Sequence, residues 1–179
     1  MNEEFFKRDY IISGIHAQQL IDLKNDKEEG IDQENRKLFN RNIDIFLLAP
    51  MVGFIYKRKV EKDKSIDEKN KKVTINSSQL INEKERIEYN YQLIMLLDDR
   101  YEPDFNRRVD KAFRYFNDND LELFNSYVRG GIEILYEKII QISPTSNYYI
   151  ENFYNFIDEF QSVYNKDINE KDYNDIFRM

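Results

Sequence analysis

The chain is 179 residues long with a formal charge of −7; 41% of its residues are hydrophobic and 34% charged, with five Gly and three Pro. That suits one domain with a sizeable core, is short for two, and with so few turn residues favours long helices over an all-β fold. The lack of Cys excludes disulfides, thiolate catalysis and the usual zinc–cysteine sites, a single His16 weakens imidazole-based chemistry, and the acidic balance argues against nonspecific nucleic-acid binding by the whole surface while permitting a local basic patch.

The expected architecture is therefore all-α: one domain over residues 1–179, a bundle of about six helices around a kinked central apolar helix. The opening MNEEFFKRDY lacks the basic-then-apolar order of a secretory signal, so a cytoplasmic protein is expected. No run approaches the roughly 18 uninterrupted apolar residues of a membrane span, and no membrane association is expected.

In chain order, Met1 to Leu23 reads as one helix on the stripe Ile12, Ile15, Leu20 and Leu23, with His16 beside Ile15 and Ala17. Asn25 to Asn40 is a charged connection. Ile43 to Tyr56, IDIFLLAPMVGFIY, is the most continuously apolar stretch and the natural core helix, capped by Asn42 with Asp44 in its first turn. Pro50 predicts a kink, or two short helices meeting near Ala49, and Gly53 allows another backbone to approach closely.

Lys57 to Lys72 holds eight Lys or Arg against four acids and no apolar periodicity, the pattern of an exposed basic loop. Val73 to Ile75 is either a short strand or an extended lead. Ser77 or Ser78 begins a helix running to Leu97 on Leu80, Ile87, Tyr91, Ile94 and Leu97, ended by Asp98, Asp99 and Pro103. Asp104 caps the next helix, whose apolar positions are Phe105, Val109, Ala112, Phe113 and Phe116.

Asn117 to Asp120 is a turn, and Asp120 caps a helix from Leu121 to Ile142. Gly130 and Gly131 inside it cost about 1 kcal/mol each relative to Ala, a cost that close helix crossing or a kink explains more simply than a ligand site. After Pro144, a helix from Thr145 or Ser146 carries the aromatic stripe Tyr149, Phe153, Phe156, Ile157, Phe160 and Tyr164, and is expected to pack on the central apolar helix. Asp167 to Met179 is acidic, with Tyr173, Ile176 and Phe177 able to dock as a last short helix.

No residue pattern calls for a cofactor, and no catalytic residue stands out. Asp98, Asp99, Glu102 and Asp104 could gather a hard cation, but they read first as turn and cap residues. There is no phosphate-binding loop and no nucleophile elbow. The cationic candidates for nucleic-acid contact are Lys57, Arg58, Lys59 and Lys62, joined by Arg107, Lys111 and Arg114, which the helical period places opposite Phe105, Val109 and Phe113. Tyr149, Phe153, Phe156 and Phe160 are the candidates for a protein interface, since aromatics are enriched at interface cores.

At IDIFLLAPMVGFIYKRK the sequence resembles a pattern in small helical proteins encoded beside bacterial DNA-phosphorothioation and related antiphage defence genes. The resemblance rests on Asp44, the run through Phe46, Leu47 and Ala49, the Gly53 and Phe54 pair, and Lys57 and Arg58, and spans Ile43 to Lys59. It implies an accessory subunit of a multi-protein defence system acting near DNA. The expected function is thus a non-enzymatic adaptor for a larger ATPase or nuclease, with homo-oligomers left open. The alternatives are a nucleic-acid binder acting through the 57–72 stretch, or a metal-dependent nuclease using Asp98, Asp99 or Asp104.

Overall fold

The computed structural model describes residues 3–24, 38–63, 71–142 and 148–170, with side chains described as far as residue 165. Most of these residues are helical, but the all-α expectation needs one correction. Instead of a single helix over Met1 to Leu23, the chain forms α1 (Glu3–Phe6), β1 (Tyr10–Ser13), a turn at Gly14 and α2 (Ile15–Lys24). β1 pairs antiparallel with β2 (Lys72–Ile75), in the register Tyr10↔Ile75 and Ile12↔Val73. The β-branched Ile11 and Ile12 suit a strand, yet the partner that satisfies their backbone lies about sixty residues away in the chain, beyond the reach of a local period. Ile12, Val73 and Ile75 turn inward towards the core.

The central element is α3 (Asn42–Ile55), apolar around most of its circumference. Arg41 occupies the cap position expected of Asn42; its backbone N–H donates to Asp44 Oδ2 at 3.1 Å. The helix continues through Pro50 and does not divide into two. The expected helix up to Leu97 does divide, into α4 (Ser77–Asn82) and α5 (Lys84–Leu97). At the break Glu83 accepts from Arg41 and Arg86, each at 3.1 Å, which ties the turn to the start of α3. α6 (Phe105–Phe113) starts as expected, with Asp104 accepting the Arg107 N–H at 2.9 Å.

α7 (Asp118–Leu135) is capped by Asn117, whose side chain accepts the Asp120 N–H at 2.9 Å, and passes into a π-helical segment, Tyr136–Gln141. α7 crosses α3 closely: a Cβ on Gly131 would collide with the Ala49 carbonyl and one on Gly53 with that of Tyr127, so close helix crossing accounts for Gly131, while a Cβ on Gly130 would collide with the Arg58 carbonyl of the segment that follows α3. α8 (Tyr149–Glu170) lies over the π-helical segment, where Asn152 Nδ2 donates to the Ile139 carbonyl at 2.9 Å. Eight α-helices and a two-stranded sheet thus replace the expected six-helix bundle among the described residues. None of these helices is long and apolar enough to cross a membrane. Tyr173, Ile176 and Phe177 lie outside the described residues.

Candidate partner-binding site

The basic stretch does not begin as a free loop. Lys57 takes a left-handed conformation (φ 56°) at the end of α3; residues 58–60 then lie along α7, and Asp63 reaches the Ile15 N–H at the start of α2. The Val60 N–H donates to the Ser126 carbonyl at 3.1 Å, and Arg129 Nε donates to the Val60 carbonyl at 2.7 Å. Arg58 reaches Glu137 at 2.7 Å and Lys59 reaches Asp98 at 2.9 Å; Lys57, Lys59 and Lys62 are exposed. Acids from the π-helical segment and the end of α5 thus pair with Arg58 and Lys59, although Lys59 itself remains exposed. Residues 64–70 lie outside the described set.

Beneath this arm is a buried polar network. Asp98, 4% exposed, accepts from the Tyr127 hydroxyl at 2.7 Å and the Tyr101 N–H at 3.1 Å as well as from Lys59. Asp120, fully buried, accepts from the Tyr101 hydroxyl and from Lys111, each at 2.7 Å. Burial first, and hydrogen bonding to these carboxylates second, raises the Tyr127 and Tyr101 phenols well above their ordinary range. The possible cation ligands therefore have other work: Asp98 joins the network and Asp104 caps α6. Among the described residues no three acidic or imidazole side chains converge to hold a metal.

His16 is buried with Nε2 3.3 Å from Glu133 Oε1. Desolvation lowers its pKa, opposed by the Glu133 carboxylate.

On α6 the predicted faces are rearranged. Lys111 points inward to Asp120, and Arg108 donates to the carbonyls of Leu96, Glu102 and Pro103 at 2.8–2.9 Å. The buried Asp120 carboxylate and part-buried carbonyls thus claim the inner side; Phe105 and Phe113 are 56% and 59% exposed, and Arg107 and Arg114 are exposed as well. The predicted cationic trio is therefore not one surface.

On α8, Tyr149, Phe153, Phe156 and Phe160 face the chain's own core. Phe153 meets Phe39 edge-on at 6.0 Å, and Tyr56 stacks on Phe156 and Phe160 at 6.3 Å each. Glu159 bridges Lys138 at 2.8 Å and the Tyr56 hydroxyl at 3.0 Å. These donors lower its pKa, and burial pushes the Tyr56 phenol up to about 12. The aromatics left outward are Tyr148, Tyr154 and Tyr164.

A feature that the sequence did not single out is a groove of about 330 Å³ between α3 and α5. Leu47, Leu48 and Tyr89 supply its apolar lining; Asp44, Glu85 and Arg86 also line it, and Asn90 Nδ2 donates to the Leu47 carbonyl at 2.7 Å. The available signal was Tyr89, an aromatic off the Ile87, Tyr91 and Ile94 stripe of its helix and 62% exposed. No protein-family model, curated protein or solved structure matches this chain.

Proposed function

We propose that this chain is a non-catalytic adaptor subunit of a bacterial defence complex, and that it docks a larger ATPase or nuclease partner through the α3–α5 groove. The observation that carries the reading is the groove itself: concave, lined by leucine and tyrosine, and edged by charge, the form that accepts an apolar anchor from another protein. The defence setting rests on the resemblance over Ile43 to Lys59, the stretch that supplies the groove's α3 wall at Asp44, Leu47 and Leu48. The mechanism is positioning: the groove holds the partner's anchor while the buried polar network keeps the surrounding helices in place.

The test is mass determination by light scattering of the protein alone and co-expressed with its genomic neighbours, at a concentration where its own mass is constant. A stable larger complex is expected. Tyr89→Ala should weaken it roughly 30-fold, the loss of a typical interface anchor, and Leu48→Asp should abolish it. An unchanged mass in co-expression, or a complex indifferent to both substitutions, overturns the proposal.

A further inference from the structure

Resting on the adaptor reading of the α3–α5 groove, we propose that its occupant is a segment of the partner protein carrying an arginine beside an aliphatic anchor. Leu47 and Leu48 on α3 offer the anchor an apolar contact. The polar side chains around them call for the arginine.

The charges of the groove do not cancel. Arg41 pairs with Asp44 at 2.6 Å and with Glu83 at 3.1 Å, and Arg86 pairs with Glu83 at 3.1 Å, so two arginines answer two carboxylates. Glu85 stands outside this set. It is exposed in the groove lining and, among the described residues, has no ion pair or hydrogen bond. Glu88, one turn further along α5, lacks an ion pair in the same way. Asn90 uses Nδ2 on the Leu47 carbonyl at 2.7 Å, which leaves its Oδ1 in the lining as a further acceptor. An occupant that answers this surface must bring donors and positive charge.

Arginine suits it better than lysine. Glu85 and Tyr89 are four residues apart on α5 and so are neighbours on one face, and the Tyr89 side chain is 62% exposed. A guanidinium laid on the Tyr89 ring can turn its fork to Glu85, joining a cation–π contact to a two-pronged ion pair. An ammonium, a point charge, lacks both the plane and the fork. Arg86 lies about 100° around α5 from Glu85, and its charge is already answered by Glu83. An acidic peptide or a phosphate backbone would meet Glu85 with like charge, which selects against both.

The test is an NMR titration of the isotope-labelled full chain with N-acetyl-Leu-Arg-amide and with its Leu-Lys and Leu-Glu counterparts, probes that need no knowledge of the partner. Leu-Arg should shift the Leu48, Glu85 and Tyr89 amides saturably, binding about tenfold more tightly than Leu-Glu and about threefold more tightly than Leu-Lys. Glu85→Gln, which gives up no internal contact, should cut the first ratio to about threefold or less, and Tyr89→Ala should erase the second. The proposal is overturned if Leu-Arg leaves these amides unmoved, if the three probes bind alike, or if Glu85→Gln keeps the full preference. It is also overturned if the same amides shift when the chain alone is concentrated, which would give the groove to a second copy. A co-expressed complex abolished by Leu48→Asp but indifferent to Glu85→Gln keeps the docking groove and overturns the arginine. The expected probe preferences without any co-expressed complex support the arginine site and overturn the adaptor.

Discussion

α7 is held in two physically different ways. Against α3, and against the Arg58 carbonyl at the start of the arm, the contact is backbone on backbone, with Gly53, Gly131 and Gly130 removing the side chains that would keep the segments apart. Against the rest of the arm, α2 and the α5–α6 corner, it is a seam of paired polar groups: Asp120 with Lys111, Tyr127 with Asp98, Arg129 with the Val60 carbonyl, and Glu133 with His16. The apolar side is limited by volume and the polar side by pairing. A substitution should therefore be harmful on one side for adding atoms and on the other for removing a partner.

The largest effect is expected on the polar side. Asp120→Ala removes a fully buried carboxylate and leaves Lys111 and the Tyr101 hydroxyl without it, a loss of about 4 kcal/mol in urea unfolding. A loss below about 1 kcal/mol would mean that water replaces the carboxylate and the seam is not limited by pairing. Gly131→Val should cost about 3 kcal/mol, because its new atoms meet the Ala49 carbonyl, which cannot move without moving α3. A neutral Gly131→Val would break the comparison on its apolar side.

The smallest effect sharpens the polar side through pH. Burial lowers the folded-state pKa of His16 below its ordinary 6.5, so the unfolded chain takes up this proton more readily. Stability is then fully retained above the unfolded value and falls as pH drops below it. The charged groups around the ring act within the same balance: Glu133 and Asp63 favour the imidazolium, and Arg129 opposes it. The urea midpoint at about pH 5.5 should be below that at about pH 7.5, and His16→Gln should remove most of the difference. An equal drop in His16→Gln would assign the effect to other groups.

Much of the helical content was legible because its signals are local. The apolar run of α3, the Asp104 cap of α6, the period of α7 and the aromatic stripe of α8 each lie within a few turns of chain. The glycine reading held at Gly131, which sits at the crossing with α3, whereas Gly130 makes room for the Arg58 backbone of the segment after α3 instead of for a helix. β1 was read as helix because its partner is β2, and the break at Glu83 was missed because Arg41 helps to hold it. On the candidate surfaces, Lys111 was read as an outward cation. Its partner, Asp120, comes from another element and only the fold brings it near.

The sequence by itself determined where most of the helices form and which stripes are apolar, because the helical period and end caps act between residues at most a few turns apart. The tertiary structure alone decided which face of each helix was covered. The buried Asp120 carboxylate drew Lys111 inward and part-buried carbonyls took Arg108, while Phe105 and Phe113 were left outside, since an unpaired buried carboxylate costs more than an exposed phenylalanine. The α3–α5 groove and the outer faces of α6 and α8 are products of that choice.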